Sequence, residues 1–393
     1  MMNFDFYAPT RIVFGKDTEK GIGSILKPRA RKVLLHYGSG SIKKSGLYDT
    51  VASSLKQSGI DFIELGGVQP NPRLSLARQG VALCRQEGVD LILAVGGGSV
   101  IDSAKAIAMG TYYDGDVWDI YEQFKFIEKA LPVATILTIP ATGSESSNNT
   151  VLSDESKQLK LGYGHPLLHP VVSVINPELF FTLPPNQIAN GVADMMSHVF
   201  ERYFTTTVHT DLTDGLCEVT LKTIMKNGPA ALSDPHNYDA WAELGFVGTV
   251  AHNGLVGMGR MQDWACHGME HELSAIYDVA HGAGLAALTP AWMRYVYRDN
   301  INMFVQFAVN VMGLGDSYRE PEALVLKAID RLQEFFHRMG LASTLSGLGI
   351  GDDKFELMAK KATRLAYGGP EFPLGGFKKL QWQDILAIYR QAK

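Results

Sequence analysis

The chain lacks several things that would define other kinds of protein. Its three cysteines in 393 residues, Cys84, Cys217 and Cys266, are odd in number and without paired spacing. That excludes a disulfide framework and fits a reducing cytoplasm. Cys266 adjoins His267 and could ligate or attack, but it reads first as a small buried apolar residue. No uninterrupted apolar run approaches the roughly 20 residues of a membrane span. The opening MMNFDFYAPTRIVFG carries Asp5 and no basic region before an apolar run, so it is not a signal peptide. Basic residues are slightly outnumbered, 36 against 41, for a net charge of −5. With no basic stripe to neutralise a row of phosphates, nucleic acid is excluded as a primary partner. The G-x-G-x-x-G dinucleotide fingerprint is also missing. These absences leave a cytoplasmic protein with no membrane partner.

What is present is enough apolar material for a large core, 46% hydrophobic against 20% charged residues. The length points to two domains. Through about Pro177, short β-branched runs alternate with amphipathic segments: KVLLHY (32–37), DFIEL (61–65), DLILAV (90–95), VATILTI (133–139) and VVSVI (171–175). Strand and helix in alternation predict a parallel sheet covered on both faces, with ligands at the carboxyl ends of its strands. From about Phe181 the segments are all helical, separated by Gly, Pro, Asn and Asp. The expected fold is therefore an α/β domain over residues 1–180 and an all-helical domain over residues 181–393.

Two strand ends carry phosphate-binding signals. After DLILAV come Gly96, Gly97, Gly98 and Ser99, opening the helix that contains Asp102 and Lys105. Glycines let the backbone turn sharply and offer N–H groups to an anion, while the helix start adds its positive dipole end. After VATILTI, the loop PATGSES places Thr138 and Thr142 where hydroxyls can reach cofactor phosphate or ribose. SDESKQLKLGY then reads as a hairpin, with Lys160 a candidate phosphate partner, although a surface lysine is the commoner case.

The second half holds the metal-type donors. Asp194 and His198 are four apart in GVADMMSHVFERYF, as are His267 and His271 in CHGMEHELSAIYDVAHGAG, where His281 follows. Residues four apart share a helix face, so either pair can grip one ion. Glycines beside His267 and His281 would let backbone approach a ligand. One carboxylate with imidazoles suits Fe(II) or Zn(II) with a position left for substrate. Every metal candidate lies in the second half and every phosphate loop in the first, so a reacting pair is expected to meet between the two domains.

Taken together, PTRIVFG, GGGSVIDSAKAIA, PATGSES, ADMMSH and HGMEHELSAIYDVAHGAGLA resemble the iron-containing (group III) alcohol dehydrogenases, in particular their NADPH-dependent butanol dehydrogenase and broad aldehyde reductase branch. The resemblance spans essentially the whole chain and implies a dehydroquinate synthase-like fold. It implies metal ligation by Asp194, His198, His267 and His281, with His271 near nicotinamide and substrate as a catalytic proton relay. It further implies a homodimer acting on a short to medium chain primary alcohol or aldehyde. NAD-preferring relatives carry Asp after the first nucleotide-binding strand, where Ser39 stands here. Gly38, Ser39, Gly40 and Ser41, with Lys43 nearby, would accept an added 2′-phosphate, so NADP(H) is the expected cofactor. The alternatives are an NAD-dependent diol or glycerol oxidoreductase of the same family, a dehydroquinate synthase-like lyase, and a purely structural metal site.

Overall fold

The computed structural model describes residues 1–315, 320–367 and 370–393. Among these the strands are β1 (Arg11–Phe14), β2 (Lys32–Gly38), β3 (Asp61–Val68), β4 (Leu91–Gly96), β5 (Val133–Leu137), β6 (Asn149–Asp154), β7 (Leu159–Gly164) and β8 (Val172–Ile175). The α-helices are α1 (Ile22–Leu26), α2 (Ser41–Lys44), α3 (Leu47–Gln57), α4 (Leu74–Glu87), α5 (Gly98–Tyr112), α6 (Val117–Glu122), α7 (Pro185–Tyr203), α8 (Asp211–Ser233), α9 (Tyr238–His252), α10 (Ala265–Tyr277), α11 (His281–Val296), α12 (Ile301–Asn310), α13 (Pro321–Arg338), α14 (Phe355–Ala362) and α15 (Trp382–Gln391).

The chain forms two compact units. One comprises Tyr7–Leu183 with Pro235–Asn253, the other Met1–Phe6, Pro184–Asp234 and Gly254–Lys393. Placing a single division at 180/181 differs from this in one main respect: α9 belongs with the sheet. Helical periodicity identifies α9 as a helix but carries no information about which core its apolar face joins. Gly245 of α9 packs closely on the sheet unit, where a Cβ would lie 3.0 Å from the Phe180 ring and 3.3 Å from Ile175.

In the first unit the strand order is β1-β8-β5-β4-β2-β3, all parallel. The apolar runs explain the order. β4, β5 and β8 are buried at every residue, as strands covered on both faces must be. β3, at one edge, has only exposed and partly buried residues until its last, Val68, which is buried. β1 forms the other edge and was not among the five strand runs, since only four residues of it pair. The interior includes Val33, Leu35, Leu93, Val95, Ile136 and Val174, against which Val51 and Leu55 of α3 pack. Each such side chain contributes on the order of 1.5–3 kcal/mol by leaving water. α4 stops at Gly88, whose left-handed backbone (φ 64°) lets its N–H bond the Cys84 carbonyl. The chain runs from β2 outward to β3, then returns to the opposite side of β2 as β4. The strand order therefore reverses between β2 and β4, the place where open parallel sheets hold dinucleotides. The expected hairpin is present as antiparallel β6 and β7.

Among its described residues the second unit's regular elements are helices, with one isolated antiparallel bridge between Leu374 and Leu380. α7 opens on Pro185, a position whose N–H a helix could not use. α13 buries Leu324, Val325, Ala328, Ile329, Leu332, Phe335 and Phe336, a stripe at three- and four-residue spacing. α11 lies directly on α7: a Cβ on Gly282 would come within 2.0 Å of the Asn190 carbonyl oxygen. No helix among the described residues is long and apolar enough to cross a membrane.

Candidate functional site

Three helices of the second unit converge on one carboxylate oxygen. α7 carries Asp194 and His198 one turn apart, both 3% exposed. α10 supplies His267, and α11 begins at His281. His198 Nδ1, His267 Nε2 and His281 Nε2 lie 3.7, 3.9 and 3.8 Å from Asp194 Oδ1. These separations are too long for hydrogen bonds. They are near the roughly 3.4 Å that separates two atoms bound tetrahedrally at about 2.1 Å to one ion. Donor atoms of Asp194, His267 and His281 all lie within 4.8 Å of one another. His198 is outside that triplet and joins it through Asp194 and by stacking on His267, ring centroids 4.7 Å apart.

The far nitrogens of two imidazoles are held by buried glutamates that the sequence reading did not single out. His267 Nδ1 donates to Glu201 Oε2, and the His267 backbone N–H donates to Glu201 Oε1 at 3.1 Å. His281 Nδ1 donates to Glu270 Oε2, while the Ser274 hydroxyl donates to Glu270 Oε1. Both carboxylates are essentially sequestered from water. Such carboxylate–histidine pairs fix the ring, here with Nε2 on the Asp194 side in both residues. The available signal was spacing: Glu201 follows His198, and Glu270 follows His267, by three residues on a helix.

The surroundings fit a cation. His267 Nε2 is buried with no hydrogen-bond partner among the described residues, an expensive state for a polar atom unless something fills the gap. Burial opposes charge on His267, yet Glu201, and then Asp194 and Glu270, outweigh it and raise its pKa. Cys266 is buried and its thiol is pushed well up by desolvation, so it is inert packing. Arg202 donates from Nη1 to the His198 carbonyl at 2.7 Å and lies 4.6 Å over the Trp264 ring, which in turn abuts His267 at 5.1 Å. His271 is partly exposed, its ring centroid 5.8 Å from that of His281.

The glycines next to the histidines have a different reason from close ligand approach. A Cβ on Gly268 would strike Leu374 at 2.7 Å, and one on Gly284 would lie 2.8 Å from the Glu270 side chain. The AHGAG segment thus makes room for a helix and for the carboxylate that holds His281.

In the sheet unit, Gly38, Gly96 and Thr138 lie at the carboxyl ends of the adjacent strands β2, β4 and β5, and Thr138 N–H bonds the Gly96 carbonyl at 3.1 Å. Ser39 and Ser41 are exposed beyond β2. The glycine triplet does not turn through positive φ. Its glycines are required by packing: added Cβ atoms at Gly96, Gly97 and Gly98 would strike Val100 (2.4 Å), Ile139 (2.1 Å) and Thr142 (2.3 Å). Ser99 is partly exposed beside them, and the Thr142 hydroxyl accepts from Ser144 N–H at 3.1 Å. Asp102 turns inward, accepting from the Ser144 hydroxyl at 2.6 Å and from Val151 N–H at 3.1 Å; burial raises its pKa. Lys160 is only 7% exposed, not a surface lysine, and its charge acts on Asp102. Lys43 is paired with Glu64 at 3.1 Å, and that carboxylate also accepts the Tyr37 hydroxyl at 2.8 Å.

Comparison with known proteins gives one family. The descriptions "iron-containing alcohol dehydrogenase" and "Fe-containing alcohol dehydrogenase family, C-terminal" match residues 9–177 and 188–393. The chain is 43% identical to NADH-dependent butanol dehydrogenase A of Clostridium acetobutylicum, covering all of both proteins. It is 37% identical to the NADPH-dependent aldehyde reductase YqhD of Escherichia coli, covering 92% of this chain and 93% of that one. Among solved structures, NADH-dependent butanol dehydrogenase A from Thermotoga maritima superimposes with a TM-score of 0.95 at 41% identity, over 100% of this chain and 99% of the other. The chain belongs to the iron-containing alcohol dehydrogenase family.

Proposed function

We propose that this protein interconverts a short to medium chain primary alcohol and its aldehyde, of the butanol and butanal type, using NADP(H) and one divalent metal, Fe(II) or Zn(II). The observation that carries the reading is the approach of three imidazoles to the single oxygen Asp194 Oδ1, two of them fixed from behind by Glu201 and Glu270. Asp194, His198, His267 and His281 would hold the ion. A cation there supplies Lewis acidity toward a carbonyl or alkoxide oxygen. Aldehyde reduction also needs a hydride at carbon, the chemistry a reduced nicotinamide carries, and a proton at oxygen. His271, partly exposed beside His281, would hold that proton.

For the dinucleotide, Gly38, Ser39, Ser41, Gly96, Gly97, Gly98, Ser99, Thr138 and Thr142 lie at or just beyond the strand ends flanking the sheet's reversal point, and partly buried Asp102 and buried Lys160 complete the set. NADP(H) is supported by Ser39, which puts no carboxylate beside a 2′-phosphate. A second reading, NAD(H), is supported by the Lys43–Glu64 pair, which offsets the charge of Lys43. Butanal-dependent oxidation of NADPH and NADH by the purified protein, compared as kcat/KM, tests both the activity and the cofactor; no turnover with either would contradict the reading. A cytoplasmic homodimer completes the proposal, supported by three free buried cysteines and by β1, an edge strand ending in exposed Phe14. Light scattering of the purified chain tests the dimer.

A further inference from the structure

We propose that Glu145 and Thr249 are positioning residues for the dinucleotide: through their contact, α9 holds the loop after β5 in the arrangement that sets Thr142 against the glycine triplet. The inference rests on the dinucleotide reading above. Gly245, Gly248, Thr249 and His252 fall at helical spacing, so they share one face of α9. Gly245 meets Phe180 and Ile175, and the other three meet the loop. Gly143 has a left-handed backbone (φ 64°), and a Cβ there would lie 2.5 Å from His252 Cβ and 2.9 Å from the Gly248 carbonyl oxygen. Loop and helix thus meet backbone to backbone, and a side chain at 143 would drive them apart. Beside that contact the Thr249 hydroxyl donates to Glu145 Oε1 at 2.6 Å. Ser146 Oγ lies 3.4 Å from the Thr249 carbonyl oxygen, and Asn149 Nδ2 lies 3.0 Å from His252 Nε2. Of these contacts, the Thr249 hydroxyl meets a carboxylate, and hydrogen bonds to charged groups are the stronger kind.

The contact reaches the glycine triplet through the loop backbone. The N–H groups of Ser146 and Ser147 both bond the Gly143 carbonyl at 3.1 Å, so residues 143–147 form one tight turn. Ser173 of β8 donates its hydroxyl to the Glu145 carbonyl, and Asp102 of α5 accepts the Ser144 hydroxyl at 2.6 Å. Thr142 immediately precedes this turn, and its Oγ1 stands 2.3 Å from where a Cβ on Gly98 would be. Gly98 opens α5, so the seat of Thr142 is the helix start that a dinucleotide phosphate would use. Glu145 is 1% exposed and burial raises its pKa; the Thr249 hydroxyl is the first contact opposing that shift, ahead of the Lys105 charge. A carboxylate this deep is costly once a donor is taken away. Without the Thr249 hydroxyl, Glu145 turns toward water and carries the loop, with Thr142, off its seat.

The test compares full-length wild type with Thr249→Val, which keeps the side-chain shape without the hydroxyl, and Thr249→Ser, which keeps the hydroxyl. Equilibrium titrations with NADPH and NADH, read by cofactor fluorescence, give the two dissociation constants, and thermal unfolding is recorded alongside. Thr249→Val is expected to bind both cofactors about 10-fold more weakly than wild type, and Thr249→Ser within about threefold of it. A folded Thr249→Val that binds as tightly as wild type, or a Thr249→Ser as weak as the valine variant, overturns the proposal. If Thr249→Val does not fold, hydrogen exchange of wild type decides instead. Added NADPH should slow exchange in residues 142–147 and in residues 245–252 together; absence of protection in either segment overturns the proposal. Wild type that binds neither cofactor overturns the dinucleotide reading itself, an outcome distinct from variants that match a wild type that binds.

Discussion

Lys105 and Asp102, three residues apart on α5, share the hydroxyl of Ser144: Oγ donates to Asp102 Oδ1 at 2.6 Å and receives the Lys105 ammonium at 3.0 Å. Lys105 also donates to the carbonyls of Ser144, Ser147 and Asn149, at 2.7 to 2.8 Å. Burial lowers its pKa to about 8, with Asp102 and Glu145 resisting. The loop after β5, which includes Thr142, is therefore tied to α5 by the buried Lys105 ammonium and by Asp102.

Replacing Lys105 by Met should strand three buried carbonyls and the Asp102 charge, at a cost of about 3–5 kcal/mol. Chemical denaturation should show that loss. An unchanged unfolding midpoint would remove Lys105 from this role.

His36 gives a pH prediction. It is fully buried, with Nδ1 2.8 Å from the Leu65 carbonyl oxygen and Nε2 2.9 Å from Ser103 Oγ, and burial lowers its pKa to about 4. Its native pKa is below its unfolded value near 6.5, so the unfolded chain binds the proton first as pH falls. The contribution is full above about pH 6.5, is lost between there and about pH 4, and amounts to roughly 3 kcal/mol. Unfolding free energies of wild type and His36→Asn across that window should converge toward low pH. Parallel curves would contradict the assignment.

Cofactor preference should respond to two charges at the end of β2. Glu64→Gln releases Lys43 from its partner and should raise kcat/KM for NADPH relative to NADH; Ser39→Asp should do the reverse. Steady-state kinetics with both cofactors reads the ratio, and a shift in the opposite sense for Ser39→Asp would show that this turn does not meet the ribose.

His271→Ala should separate proton handling from metal binding. Its metal content should match wild type, while kcat falls by about 100-fold or more. Loss of the metal in this variant would make His271 a ligand in place of one of the four proposed.

Much of the scaffold was legible because its signals are local. The buried runs at β2, β4, β5 and β8 are apolar whatever surrounds them, and Asp194 and His198 share a face by helix geometry alone. Glu201 and Glu270 were not legible, because a glutamate inside an amphipathic helix looks solvated until the partner helix is in place. For Lys160, a candidate phosphate partner with a surface lysine as the commoner alternative, burial was not legible for the same reason, since alternation in a hairpin does not say which face is covered. The glycine triplet was found but given another cause. Val100, Ile139 and Thr142 crowd it, and two of those three lie beyond the next strand in sequence. Pairing of Lys43 with Glu64 likewise depends on β2 and β3 lying side by side, which composition does not reveal.

The most direct measurement of the central claim is metal content together with butanal reduction, on protein purified without oxygen, for wild type and for His281→Ala. Wild type should carry about one Fe or Zn per chain and turn over, and the variant should lose both together. A His281→Ala protein that keeps its ion and its activity would contradict the account.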